Sequence, residues 1–181
     1  PAKGRDVAFL VIGDPMGATT HTDMILRAKK EGVEVEVINN TSILNAVGIV
    51  GLELYKYGKT ASIVLPQECW KVQTHYDVIK ENQARGLHTL CLLDIKQDKC
   101  MTINEALKDL LKIESERREH VISEDTLCVG CARLGSSERK ILAGTIKHLL
   151  EANFGPPLHS LIIPGKLHFI EEEALELWKS L

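Results

Sequence analysis

Val7-Ala-Phe-Leu-Val-Ile12 runs directly into Gly13-Asp14-Pro15-Met16-Gly17-Ala18-Thr19-Thr20-His21-Thr22-Asp23. Six apolar residues in a row, β-branched at Val7, Val11 and Ile12, predict a strand buried on both faces, the usual state in a parallel sheet. In open α/β sheets the ligand sits just beyond the carboxyl ends of such strands. Gly13 and Gly17 let backbone approach a ligand closely, Asp14 offers a carboxylate to hydroxyls or a cation, and Pro15 stiffens the turn. The same composition also makes an ordinary turn, and Gly-x-x-x-Gly is not the Gly-x-Gly-x-x-Gly of nucleotide folds. Residue types alone leave both readings open.

Outward from this stretch, strand and helix patterns alternate as in an α/β protein. Thr20 and Asp23 form a capping-box-like pair for a helix that Gly32 ends. Glu34 to Ile38 alternates polar and apolar, as a near-edge strand does. Ser42 caps a helix expected from Ile43 to about Tyr57, stopped by Gly58. Thr60 to Leu65 is a strand, Thr74 to Arg85 a helix and Leu87 to Ile95 a buried strand. Thr102-Ile-Asn-Glu105 is a capping box opening an amphipathic helix. Thr126 to Ala132 and Ser160 to Ile163 read as strands, Ile141 to Gly144 as a short apolar piece, and Thr145 to Ala152 and Glu171 to Leu181 as helices.

The 181 residues suffice for one ordinary domain or two small lobes. With 44% hydrophobic and 26% charged residues, the composition is that of a globular protein. A formal charge of −3, from 22 basic and 25 acidic residues, argues against a broad nucleic-acid surface. No apolar run approaches the roughly 20 residues that span a bilayer. Five cysteines, two of them (Cys91 and Cys128) within apolar strand patterns, suit reduced cytosolic thiols. Cys128 and Cys131 lie three apart on one strand and point to opposite faces, so they share neither a metal nor a disulfide. No metal site is expected.

The Gly13–Asp23 wording resembles the diphthine synthase branch of the tetrapyrrole-methylase-like methyltransferases, in which Gly-Asp-Pro-x-x-Ala-Thr-Thr-His is a hallmark. Asn39–Gly48, His88–Ile95, Thr126–Gly135 and Pro157–Ile163 resemble the same family in the same order, so the likeness spans essentially the whole chain. It implies a two-lobed α/β fold with a mostly parallel first sheet, a mixed second sheet and the cofactor in the cleft between them. The lobe boundary is expected at Gly58–Lys59, giving lobes 1–58 and 59–181. The chain opens at Pro1 and enters its strand almost at once, whereas the family carries an upstream strand with a Gly-x-Gly-x-Gly turn. The link from Ile95 to Thr102 is also shorter than the family's Pro-rich, aromatic-containing loop. Stretches left out of this numbering are expected, rather than a shortened variant.

The resemblance implies that S-adenosylmethionine is the cofactor, S-adenosylhomocysteine the product, and Asp14 and Gly17 contacts to the cofactor. It adds Ser42 and Ile43, where a capped helix start can also present free N–H groups to a carboxylate or ribose oxygen. Leu93 is an ordinary core leucine by chemistry, and the resemblance puts it in the adenine pocket. Asp94 beside it is the tempting polar residue, or binds only a neighbouring turn. Leu134 and His159 are implied to complete the adenine and ribose pocket, although a histidine after proline is more often structural. Arg133 can serve an anionic substrate or a lobe interface. His21, one residue into its helix, is either a proton acceptor or solvent-facing.

No Ser/His/Asp constellation or carboxylate pair is visible, and no catalytic residue is assigned. The implied acceptor is the aminocarboxypropyl-modified histidine of translation elongation factor 2, methylated repeatedly to a trimethylammonium. A carboxylate is esterified as well in the eukaryotic-type branch, to which the wording at Asn39–Val47 and Leu87–Ile95 is nearest. A cytoplasmic homodimer is expected, with no nucleic-acid or membrane partner. The rival readings are a sister methyltransferase acting on a tetrapyrrole or ribosomal RNA, and a non-catalytic protein-binding lobe.

Overall fold

Gly32, at φ +70°, ends the first helix, which runs Thr22–Lys30 (α1). Asp23 in its first turn and Arg27, Lys29 and Lys30 in its last oppose the helix dipole. The computed structural model describes residues 2, 4–65, 72–96 and 99–179. It divides into two units, Pro1–Val47 and Gly48–Leu181.

In the first unit three expectations are corrected. The cap residue of α1 is His21 rather than Thr20, and it makes no side-chain cap bond. Its Nδ1 instead faces the Pro15 carbonyl at 2.8 Å, and its ring meets Phe9 edge-on, so the histidine folds back onto the turn. The stretches 7–12 and 34–38 carry no β-ladder, and Leu10 and Ile12 are 90% and 96% exposed. A strand exists only where a neighbour takes its N–H and C=O groups, and no described residue does so for either stretch. The helix from Ser42 is also shorter than expected. It spans Ile43–Ala46 (α2) and gives way to 3₁₀ turns at Val47–Val50 and Leu54–Lys56. Gly51 between them sits at φ +92°, which no helix continues, and a Cβ there would lie 2.4 Å from Ala174 Cβ.

The second unit follows the sequence expectations closely except at its last helix, expected from Glu171 to Leu181. That helix opens at Phe169 under a His168 cap and ends at Glu176, and residues 180–181 lie outside those described. The unit's elements are Ala61–Ile63 (β1), Thr74–Ala84 (α3), Thr89–Leu93 (β2), a short antiparallel pair of Ile95–Lys96 (β3) and Lys99–Cys100 (β4), then Ile103–Arg117 (α4). Leu127–Ala132 (β5), Lys140–Thr145 (β6), Ile146–Glu151 (α5), His159–Ile163 (β7) and Phe169–Glu176 (α6) complete it. The main sheet has the order β1-β2-β7-β5-β6, parallel between β1 and β2 and antiparallel elsewhere. The result is an α/β unit on a mixed sheet. The capping box at Thr102 and Glu105 forms as read, with Ile103, Ala106, Leu107, Leu110 and Ile113 buried along one stripe. With α3 and α5, that stripe covers the sheet around Ile63, Ile79, Ile146, Leu149 and Leu161.

Residues 48–58 are tied to this second unit by their own polar groups. Trp178 Nε1 donates to Val50 O at 2.9 Å, Glu53 N to Glu171 Oε1 at 3.0 Å, and Gly58 N to His88 O at 2.9 Å. These bonds lie within the second of the two units, which begins at Gly48. Glu171 is fully buried and also takes Lys56 Nζ, His168 N and His88 Nε2. Burial pushes its carboxyl up, but these donors outweigh burial and hold it at about 2.

Candidate functional site

Within the first unit, the glycine-bracketed turn and the start of α2 come together. Asp14 Oδ1 accepts from Met16 N at 2.8 Å and Oδ2 from Asn40 N at 3.0 Å. The Asn40 and Met16 amides hold the carboxyl below its ordinary range, so it is ionised at neutral pH. Gly17 lies against the cap of α2 so closely that a Cβ there would sit 2.5 Å from Ser42 Oγ and 2.7 Å from Ser42 Cβ. Ser42 Oγ accepts from Leu44 N at 3.2 Å, and Asn45 Oδ1 takes Ser42 N at 2.8 Å. The N–H of Ile43, one of the unpaired donors of a helix start, has no partner among the described residues. Asp14, Gly17, Ser42 and Ile43 therefore form one constellation with an anion and a free donor. At four residues α2 is too short to add a useful dipole, so its offer is that single N–H.

Asn40 was not singled out in the sequence, yet its N–H is the largest influence on Asp14. The only signal for it is the Asn39-Asn40 pair just before the cap, a usual turn composition.

In the second unit the sheet register gathers Leu93, Leu134 and His159 at one end. Leu93 closes β2, one residue past the Leu92↔Ser160 pair, and His159 opens β7 opposite Ala132. Leu134 follows just beyond the end of β5. Asp94 resolves as the turn-binding alternative, since its Oδ2 accepts from Leu65 N at 3.0 Å.

His159 is held from both ring nitrogens. Ile103 N donates to Nδ1 at 3.4 Å, and Nε2 carries the proton toward Gly155 O at 3.1 Å and Pro156 O at 3.2 Å. Burial lowers its pKa, so the ring is neutral with both nitrogens occupied. What it has left to offer a ligand is its ring surface or its backbone. Arg133 is held by backbone of the second unit. Its Nε donates to Glu138 O at 3.0 Å and its Nη1 to Phe154 O at 2.9 Å and to Pro156 O. The guanidinium is thus engaged with backbone carbonyls of its own unit.

Cys91, Cys128 and Cys131 are buried, and burial pushes the Cys91 and Cys131 thiols up to about 12 and Cys128 upward as well. They are core thiols without nucleophilic character. Among the described residues no group of three His, Cys, Asp or Glu side chains is placed to hold a metal ion. A hollow of about 250 Å³ beside α5, lined by Lys140, Leu142 and His148 among others, contains none of the candidate residues.

The sequence model of the family described as Tetrapyrrole (Corrin/Porphyrin) Methylases matches residues 2–150, and the chain belongs to that family. Diphthine synthase of Methanocaldococcus jannaschii is 56% identical over 179 residues, covering 97% of this chain and 70% of that protein. Diphthine methyl ester synthase of Dictyostelium discoideum is 48% identical over 192 residues, covering 97% and 70%. A crystal structure of diphthine synthase superposes with a TM-score of 0.86 at 36% identity, over 98% of this chain and 67% of that one. Within the family, then, the chain lies in the diphthine synthase branch, and the fold is that of its solved members.

Proposed function

We propose that this protein is an S-adenosylmethionine-dependent methyltransferase of diphthamide biosynthesis. Its acceptor is the aminocarboxypropyl-modified histidine of translation elongation factor 2, and S-adenosylhomocysteine is the product. The observation that carries this reading is 56% identity to a diphthine synthase over 97% of the chain. Identities of 56% to an archaeal diphthine synthase and 48% to a eukaryotic methyl ester synthase do not favour the eukaryotic type that the wording suggested.

In this reading Asp14, Gly17, Ser42 and Ile43 of the first unit are cofactor contacts, and the family resemblance adds Leu93, Leu134 and His159 of the second. The residues suit it chemically. An ionised carboxylate matches hydroxyls or an ammonium, the free Ile43 N–H matches a carboxylate or ribose oxygen, Leu134 offers apolar surface to a purine, and Leu93, whose side chain is in the core, offers its backbone. When bound, S-adenosylmethionine supplies a methyl on a sulfonium whose departing thioether is neutral. What remains for the chain is to hold nucleophile and methyl in line, which is a matter of proximity and of letting the amine lose its proton. Residues that position, rather than residues that react, are what such a site requires.

The protein acts as a cytoplasmic homodimer. No described helix is long and apolar enough to cross a membrane. The test is transfer of labelled methyl from S-adenosylmethionine to elongation factor 2 taken from a strain lacking this step. Label on the modified histidine supports the reading, and label on a tetrapyrrole or RNA instead overturns the substrate. Calorimetry with the cofactor tests the remaining rival: no heat from a folded protein would make it a binding module.

A further inference from the structure

Four successive carbonyls, of Asn153, Phe154, Gly155 and Pro156, are each taken by a donor side chain. Lys140 Nζ takes Asn153 O, Arg133 Nη1 takes Phe154 O and Pro156 O, and His159 Nε2 takes Gly155 O and Pro156 O. Carbonyl oxygens converging in this way repel one another unless a cation sits among them, and a planar guanidinium matches several at once. Arg133 Nε simultaneously takes Glu138 O at 3.0 Å, and its own N–H donates to Leu158 O at 2.8 Å. Its backbone is in the left-handed region at φ +52°, immediately before Leu134. A non-glycine residue holds that conformation only when its surroundings enforce it. One side chain therefore fastens the loop after β5, which carries Leu134, to the loop before β7, which leads into His159.

We infer that Arg133 is a positioning residue for the cofactor: its guanidinium sets Leu134 and His159 by cross-linking their two loops and does not touch the cofactor itself. This rests on the proposal that Leu134 and His159 line the S-adenosylmethionine site. The consequence is a split between binding and turnover. Loosening the loops raises the cost of organising the site, which appears as weaker cofactor binding, while the reacting groups are unchanged once the cofactor is saturating.

The experiment measures the dissociation constant for S-adenosylmethionine by calorimetry, with KM and kcat for methyl transfer, in Arg133→Ala and Arg133→Lys. Arg133→Ala is expected to raise the dissociation constant about tenfold or more, with kcat at saturating cofactor within about twofold of native. Arg133→Lys, which keeps the charge but loses the fork, is expected to fall between them. Millimolar guanidinium ion should recover part of the affinity of the alanine variant. Gly155→Ala provides a second route should Arg133→Ala not fold. Gly155 sits at φ +73°, so an alanine there strains the loop whose carbonyls Arg133 and His159 hold, and it should weaken the cofactor in the same sense. An unchanged dissociation constant in folded variants overturns the inference, as does a fall in kcat with binding intact. Failure of the native protein to bind the cofactor is a separate result, and it overturns the site assignment together with this inference.

Discussion

The closest approach in the candidate site, Gly17 against Ser42, yields its sharpest test. A methyl group at position 17 would stand 2.5 Å from Ser42 Oγ and 2.7 Å from Ser42 Cβ, where carbon atoms ordinarily rest about 3.5–4 Å apart. The hydroxyl can rotate away, but the Cβ cannot, because it is fixed to the backbone that caps α2. Gly17→Ala must therefore displace the cap by about an ångström. That breaks the 3.2 Å bond from Leu44 N to Ser42 Oγ and disturbs the turn that Asp14 ties to Asn40. Losing the cap costs about 1 kcal/mol, and overpacking adds about 1–3 kcal/mol. If only about 2 kcal/mol of this must be recovered on binding, the dissociation constant for S-adenosylmethionine rises about thirtyfold.

Ser42→Gly removes both clashing atoms, and glycine at a cap costs only about a few tenths of a kcal/mol. The double variant Gly17→Ala/Ser42→Gly should therefore bind better than Gly17→Ala alone. The double-mutant coupling should be about 1–3 kcal/mol in the compensating sense. Calorimetric titration of the four proteins, with a melting curve for each, reads this directly. Native-like binding by Gly17→Ala would refute the reasoning, and so would a double variant as weak as the sum of its parts.

Other expectations concern charge and packing. Asp14→Ala should weaken the cofactor about tenfold or more while leaving the second unit's melting unchanged, and equal affinity would reduce Asp14 to a turn former. Glu171 titrates at about 2 rather than 4.5, so its stabilisation is complete above pH 4.5 and is lost as pH falls toward 2. Glu171→Gln should cost about 3 kcal/mol at neutral pH by removing the buried charge that Lys56, His88 and the Glu53 and His168 amides share, and should flatten the acid limb of a stability–pH curve. A variant with the same acid limb as native would show that Glu171 does not set it. Gly130→Ala would place a Cβ 2.4 Å from Phe154 Cζ and 3.1 Å from Ile103 Cδ1, and denaturant unfolding should show a loss of about 1–3 kcal/mol.

The second unit was readable in the sequence because its signals are local. Thr102 and Glu105 close a capping box three residues apart, Thr145 caps α5 through His148 N, and the strands are continuous apolar runs with partners in the same unit. The first unit misled for the opposite reason. Val7–Ile12 is as apolar as β5, but a strand is a relation between two stretches, and composition records only one of them. The helix after Ser42 ends at Ala46 and tightens into 3₁₀ turns, and Gly51, at φ +92° and packed against Ala174, stops the helical pattern from resuming.

The site divides along the same line, and the chemistry of methyl transfer explains why. Asp14 and Gly17 were visible as candidates by type, but an ordinary turn explains the same residues equally well, and their cofactor role came from resemblance. Leu93, Leu134 and His159 came only from resemblance, since an activated methyl donor needs shape around it and gives no side chain a reactive task. Arg133 and His159, the residues a search for catalysts would choose there, are engaged by backbone: Arg133 through Nη1 and Nε to the Phe154, Pro156 and Glu138 carbonyls, His159 through Nε2 to the Gly155 and Pro156 carbonyls and through Nδ1 from the Ile103 N–H. A site that works by alignment places its polar groups in the scaffold, so its function is written in what those groups hold still.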